Sequence, residues 1–260
     1  MTARIPCRAV FLDAGGVIVL PDRHLLAGAL ARAGIRIDPD AVPRAHYRAV
    51  RNLDRALTPP RTHALTPAPS HAPTDAPADG PTHATDPGTA TATRSDYVAA
   101  LLSQLGIVPG QAAEAFAVWE GLADRRRSRA VLWSEPTPGA ADAIASLKRA
   151  GMTVGIVTNS DGHGEENLRA SGFGGVPVID STVVGAAKPD PHIFEIALRR
   201  AGAAATETVH VGDTLLNDVA GARATGIIPI HFDPLRTCRA PDHRHVRTVT
   251  GLWQHIAPAP

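Results

Sequence analysis

Lysine is almost missing from this chain: of its 26 Lys and Arg residues only Lys148 and Lys188 are lysines. With 23 glycines, 23 prolines and abundant alanine, this reads as a GC-rich coding bias, under which a surviving lysine marks a place where arginine does not serve. At Lys148, on an expected helix surface, the lysine means little; at Lys188 it means more. Cysteine is scarce too. Cys7 and Cys238 lie far apart and in no C-x-x-C pair, which gives no indication of a disulfide framework. No apolar run is long enough to span a bilayer, and the N-terminus lacks a signal peptide's apolar stretch, so the expected address is the cytoplasm. A formal net charge of +1 gives no electrostatic case for nucleic acid or an anionic membrane as partner.

What is present is ordinary globular material, 44% apolar and 20% charged, in a length that suits one α/β domain carrying a smaller second one. Arg8–Asp13 is a short apolar run ending in an acid and then glycines, a buried strand feeding a tight turn. From Asp22 to about Leu57 the pattern is helical, with Leu25, Leu26, Ala29 and Leu30 on one face and a stop at Gly34. Residues 58–93 are dense in proline and threonine and almost empty of large apolar side chains. Such a segment cannot bury enough surface to offset its ordering entropy, so a disordered insertion is expected there. His63, His71 and His83 inside it have no regular ligand spacing.

Helical pattern resumes at Ser95, a candidate N-cap, and a second helix covers roughly Gln111 to Arg129. Beyond Pro136, strands and helices alternate: a helix at Ala140–Ala150, strand Thr153–Thr158, a helix to Ala170, and strand Val176–Ile179. A helix opened by Asp190-Pro191, strand Thr208–Gly212, a helix at Leu216–Ala224 and a last strand at Ile227–His231 complete the run. Near-continuous apolar strands between helices imply an α/β fold, a Rossmann-like doubly wound parallel sheet covered on both faces. Ligands of such sheets bind beyond the carboxyl ends of the strands.

The polar residues of interest stand at those ends: Asp13 in Phe11-Leu-Asp-Ala-Gly-Gly-Val17, Thr158-Asn159, Lys188-Pro189, and Gly212-Asp213 with Asp218. Singly, most have a structural explanation. Asp213 suits an N-cap, Thr158-Asn159 a strand-end turn, and Lys188 a solvated loop charge. Asp13 is harder to explain away, because an acid ending an apolar strand needs a partner. Together and in this order they resemble the haloacid dehalogenase superfamily, most of whose members are phosphatases. The resemblance covers the sheet domain, about three-fifths of the chain.

The resemblance implies a magnesium-dependent hydrolase acting on a small phosphorylated substrate through an aspartyl-phosphate, with Asp13 as nucleophile. A carboxylate is ionised at neutral pH and attacks phosphorus without a base, but is repelled by the phosphate dianion. Mg2+ relieves that repulsion and takes hard oxygen ligands: by resemblance Asp13, the Gly15 carbonyl and Asp213, supported by Asp218. Lys188 would neutralise nucleophile and transferring group as a compact point charge, where a guanidinium imposes its own fork. Thr158 would donate to a phosphate oxygen beside backbone N–H groups of the following helix, with Asn159 adjoining it.

The chain departs from the family at Gly15, where most phosphatases carry a second aspartate that protonates the leaving oxygen and later activates water. General acid–base help is worth roughly 10²–10⁴ in rate, or about 3–5 kcal/mol. Three explanations stay open: a leaving group needing little protonation, as in an anomeric sugar phosphate or acyl phosphate; a substitute among Asp22, His24 and Asp161; or a chain that binds phosphate for regulation. Dehalogenation is a further class. Family dehalogenases attack carbon without magnesium and replace the acid after Gly212, which this chain keeps.

The family also inserts a helical cap after the first strand. That implies a core of residues 1–21 and 130–260 and a cap of 22–129 containing the 58–93 insertion. Arg23, His24, Arg48, Arg51 and Arg55 are available there to read a substrate, though solvated faces are the ordinary role. Trp119 and Trp133 could line a pocket, though core packing is the ordinary role. Cys238, His243 and His245 match no zinc spacing and read as an exposed tail.

Overall fold

A computed structural model describes residues 3–57, 92–124 and 131–260. The expected disordered insertion lies outside the described residues except for its last two positions. In chain order the elements are β1 (Ile5–Cys7), β2 (Ala9–Leu12), β3 (Val19–Pro21), α1 (Arg23–Arg32), α2 (Val42–Leu57), α3 (Arg94–Gln104) and α4 (Pro109–Ala123). Then come β4 (Trp133–Pro136), α5 (Ala140–Arg149), β5 (Thr153–Thr158), α6 (Gly164–Leu168), β6 (Val178–Asp180), α7 (Ser181–Val184) and α8 (Pro191–Ala201). The chain closes with β7 (Thr208–Gly212), α9 (Gly221–Ala224), β8 (Ile228–Phe232), β9 (Arg244–Val246) and β10 (Ile256–Pro258).

Six strands form one parallel sheet in the order β6-β5-β2-β7-β8-β9. The chain winds outward from β2 through β5 and β6, then crosses back to β7 on its other flank. That reversal makes the carboxyl end of β2 the switch point, where such sheets open a crevice. In register, Leu12 stands beside Ile156 and Val211. The residues that follow, Asp13, Thr158 and Asp213, therefore emerge together at one edge. Alternate side chains fill opposite faces. Val10, Leu12, Ile156 and Val211 pack with Ile144 and Leu147 of α5, while Phe11 and Val157 pack with Ile193 and Phe194 of α8.

Helices α1–α4 gather around a separate apolar cluster that includes Leu26, Leu30, Val42, Ala49, Val98, Leu101 and Trp119. The antiparallel ribbon of β3 and β4 carries the chain out to these helices and back. Asp22 caps α1 by accepting from the His24 and Leu25 N–H groups at 3.0 and 2.8 Å. The cap of α3 is Thr93 rather than Ser95, because Thr93 and Asp96 close a reciprocal capping box. At α8 the cap is Asp190, with proline in the first turn as expected, and left-handed Gly202 ends the helix.

The carboxyl-terminal expectation needs correcting. Ile228–Phe232 is not the last strand and 238–245 is no exposed tail: β9 pairs with β8 as the sheet's sixth strand, and β10 pairs with β1. Both late strands have three residues, too short to print an alternating pattern among the surrounding arginines and histidines. No helix among the described residues is long and apolar enough to cross a membrane.

Candidate active site

The turn after β2 is built so that three acids and one lysine can meet. Asp13 continues the ladder, its N–H donating to the Val211 carbonyl at 2.8 Å, and its Oδ1 accepts from the Ala14 N–H at 2.8 Å. Gly16 has φ +77°, and a Cβ there would run into the Asp213 carboxylate and the His46 ring. Gly212 is needed for the same reason, since a Cβ would collide with Asp218.

Lys188 is the hub. Its ammonium lies 2.8 Å from Asp13 Oδ1 and 2.6 Å from Asp218 Oδ1, and only 4% of the residue is exposed. Asn159 does not reach across the site. Its side-chain amide donates to the Lys188 carbonyl at 2.9 Å and accepts from the Lys188 N–H at 2.8 Å, gripping the lysine's backbone from β5's end. The partner that Asp13 needed is thus Lys188. Thr158 is buried and lines the cavity. The neighbouring N–H groups expected to help it are partly engaged, because Gly162 and Gly164 donate to Asp180 at 3.2 and 2.9 Å.

Asp218 is the most fully engaged of the acids. Lys188 and His210 reach its Oδ1, and the Thr214 hydroxyl and N–H reach its Oδ2. Burial pushes its carboxyl up, but Lys188 and His210 outweigh that and hold it well below the usual carboxylate range. Burial lowers the pKa of His210, which keeps the ring neutral. Asp13 is pushed up to about 7, first by burial, against Lys188, and further by the charges of Asp218 and Asp213.

One carboxylate oxygen from each of Asp13, Asp213 and Asp218 can be chosen so that all lie within 4.8 Å of one another. With all three carboxylates ionised, one ammonium leaves two negative charges in a buried place, and the charges of Asp218 and Asp213 add to burial in raising Asp13. That all-oxygen set of matching charge fits a hard divalent cation.

The helical layer supplies residues that have no counterpart among the sequence candidates. His46 of α2 is buried, with Nε2 2.9 Å from Asp213 Oδ2 and Nδ1 2.8 Å from the Tyr97 hydroxyl. Burial, with the Asp213 charge, pushes the Tyr97 pKa well up, so the phenol stays protonated and donates to Nδ1, and Nε2–H donates to Asp213. Tyr47 donates to the Gly16 carbonyl at 2.7 Å, and Asp54 accepts from the Leu215 N–H at 3.0 Å. A sequence signal existed: His46 and Asp54 share the α2 stripe of Val42, Ala45, Ala49 and Val50, where a polar residue needs a partner.

A cavity of about 560 Å³ lies between the sheet edge and the helices. Asp13, Gly15, Thr158, Lys188 and Asp213 line its floor, and His46, Val50, Tyr97, Trp119, Leu122 and Trp133 line its upper wall. Both tryptophans thus face the cavity while packing edge to face on each other, at 6.4 Å between centroids. Of the candidates for a substitute acid, Asp22 is the α1 cap. Asp161 lines the cavity and accepts from the His163 N–H at 3.2 Å. Arg23 is paired with Asp40 and Glu135.

A model of the haloacid dehalogenase-like hydrolases matches residues 7–226. Haloacid dehalogenase-like hydrolase domain-containing protein 3 of Mus musculus is 35% identical over 95 residues, 34% of this chain and 36% of that protein. Phosphoserine phosphatase of Thermus thermophilus is 33% identical over 103 residues, 37% of this chain and 40% of that one. Ribulose-1,5-bisphosphate 5-phosphatase of Halopiger xanaduensis is 33% identical over 101 residues, 37% and 42% of the two chains. The chain therefore spans well under half the length of these relatives. Among solved structures, YfnB of Bacillus subtilis, bound to magnesium, aligns over 96% of this chain and 98% of its own, with TM-score 0.58 and 20% identity. A HAD family hydrolase of Deinococcus radiodurans with bound phosphate and sodium aligns over 96% and 94%, with TM-score 0.51 and 19% identity. At such identities the likeness is one of fold.

Proposed function

The chain belongs to the haloacid dehalogenase-like hydrolase family, and from that membership we propose that it is a magnesium-dependent phosphatase of a small phosphorylated metabolite, with Asp13 as nucleophile. The observation that carries the reading is the Lys188 ammonium seated between Asp13 and Asp218 beside a third acid, Asp213. A dehalogenase attacking carbon has no use for that surplus of carboxylate charge. Phosphatases among the matched relatives support the same class.

In this reading Asp13 and Asp213, with the Gly15 carbonyl, would hold Mg2+, and Asp218 supports them by fixing Lys188 and the turn after β7. The bound ion would supply positive charge that offsets the repulsion between the Asp13 carboxylate and the phosphate. Lys188 and the Ala14 N–H hold Asp13 Oδ1, which fixes the plane from which the carboxylate attacks. The new bond joins an Asp13 oxygen to phosphorus as the bond to the leaving oxygen breaks, and water then attacks the acyl phosphate and restores Asp13. Lys188 offsets the charge gathering on the transferring group, and Thr158 donates its hydroxyl to a phosphoryl oxygen.

The helices of residues 22–129 act as the cap over the core of 1–21 and 130–260. Their aromatic wall excludes water and receives the organic part of the substrate. Gly15 leaves the leaving oxygen without a neighbouring acid, which selects substrates whose leaving group needs little protonation, such as an anomeric sugar phosphate. The cytoplasm is the fitting place for such a substrate.

The test is a panel of phosphorylated metabolites assayed with and without Mg2+. Activity that vanishes in chelator and in Asp13→Asn is expected. Phosphate binding without turnover of any panel member in the wild type would move the chain to a regulatory role. Turnover of a haloacid unaffected by chelator would overturn the phosphatase reading.

A further inference from the structure

We propose that His231, Cys238, His243 and His245 form a second metal site, separate from the carboxylate site, that takes Zn2+ as a structural ion. Parallel pairing of β8 with β9 sets His231 directly opposite His245, so both rings leave the same face, 5.5 Å apart. The loop between them is folded back by Asp233, which accepts from the Cys238 N–H at 2.8 Å and from the Thr237 hydroxyl at 3.2 Å. That fold delivers Cys238 Sγ to within 3.6 Å of His243 Nε2, and puts the His243 ring 4.6 Å from His245 and 5.4 Å from His231. One donor atom from each of the four residues lies within 4.8 Å of the others.

The hydrogen bonds around the cluster leave lone pairs to be used. His231 Nε2 is 3.2 Å from the Asp213 carbonyl, which can only accept, so Nε2 carries the proton and Nδ1 the lone pair. That Nδ1 is buried and has no partner, and neither has the buried Nε2 of His245. His243 Nδ1 is 2.8 Å from Asp242 Oδ1, so its Nε2 carries the lone pair and faces Cys238. A buried nitrogen left unpaired is costly, and a cation bound among these donors relieves both. The carboxylate behind His243 is the arrangement that orients a metal-bound imidazole, and Arg223 anchors it at 3.1 Å.

Three imidazoles and a thiolate are a poor set for magnesium and a good one for zinc, which takes four such ligands in a tetrahedron. Bond lengths of about 2.0–2.3 Å place tetrahedral ligands roughly 3.3–3.8 Å apart, so closure needs side-chain shifts of about an ångström. Four protein ligands leave no open position, which makes the ion structural. It would fasten edge strand β9 and the loop after β8 to the sheet. Through His231 it would also steady the backbone of Asp213.

The test uses the full chain without a histidine tag, dialysed against magnesium buffer, with bound metal measured by mass spectrometry. About one zinc per chain is expected in the wild type and in Asp13→Asn. Cobalt(II) in place of zinc should give intense visible bands and thiolate-to-cobalt charge transfer in the near ultraviolet. Cys238→Ser should abolish the charge transfer, and His243→Gln should weaken binding by more than about 100-fold, beyond an outer-shell loss. No retained zinc and no cobalt spectrum in the wild type would leave a purely hydrogen-bonded cluster and overturn the site. Zinc held equally by both variants would place the ion elsewhere and overturn it just as surely.

Discussion

His46 Nε2 of α2 lies 2.9 Å from Asp213 Oδ2, so a side chain from the helical layer holds an acid of the sheet layer. With Tyr97 donating to the other ring nitrogen, the carboxylate's direction is fixed by a two-step relay from α3 through α2. Outer-shell partners of metal ligands are worth about 10–100-fold in affinity or activity. His46→Ala should weaken Mg2+ activation by that factor while leaving the fold intact, read as the magnesium concentration giving half-maximal rate. An unchanged value would show that His46 has no hold on the ion's site. Tyr97→Phe should give a smaller effect in the same direction.

Gly15 is not a hole waiting for an acid. A Cβ built there meets the Trp133 ring at 3.3 Å, a distance the ring can yield by a few tenths of an ångström, and no left-handed backbone stands in the way. Gly15→Asp should therefore fold, with Trp133 displaced slightly towards the cavity. Its turnover should rise on alkyl phosphates, by up to about 10²–10⁴ if the acid is well placed. The gain should be far smaller on nitrophenyl phosphate, and Gly15→Asn should show none. Equal changes on both substrates would sink the leaving-group explanation.

Asp54 provides a pH dependence of stability. Burial, against its hydrogen bonds from Leu215 and Leu216, raises its pKa from 3.8 to about 7. Between those values the folded chain holds a proton that the unfolded chain has released. The stabilisation is complete below about pH 4 and is lost as pH rises through about 7. Asp54→Asn keeps an acceptor for the Leu215 N–H and has nothing to ionise. Denaturant unfolding should show it gaining on the wild type by on the order of 2–4 kcal/mol between pH 4 and pH 8. A difference that stays level across that range would mean Asp54 is solvated in the folded state.

The sheet was readable because each central strand is an apolar run ending in a residue with a chemical reason to be there. Phe11-Leu12 before Asp13 and Val157 before Thr158 carry both signals at once. The short strand β9 carries neither, the apolar β10 is only three residues long, and the burial of both depends on which neighbours they find. The lysine hub was legible from composition, but Asn159's grip on the Lys188 backbone was not, because it joins residues 29 positions apart. His231 illustrates the same limit. In sequence it is the polar end of a strand, and only pairing with β9 reveals His245 opposite it.

Lys188→Arg tests the feature that first set this position apart. The ammonium sits 2.8 Å from one carboxylate and 2.6 Å from another, almost wholly buried, on a backbone clamped by Asn159. A guanidinium keeps the charge but is planar and wider, and its fork suits one carboxylate better than two. It would have to swing Asp13 out of line or crowd Asp218 against His210. A fall in kcat of about 10²–10³ is expected, the size of losing one aimed electrostatic contact. The melting temperature should fall only modestly, because no carboxylate is left unpaired. Lys188→Met should lose activity similarly and also cost roughly 3–5 kcal/mol, since it strands two buried acids. If Lys188→Arg works within a few-fold of the wild type, any cation suffices here, and the rarity of lysine in this chain says nothing about position 188.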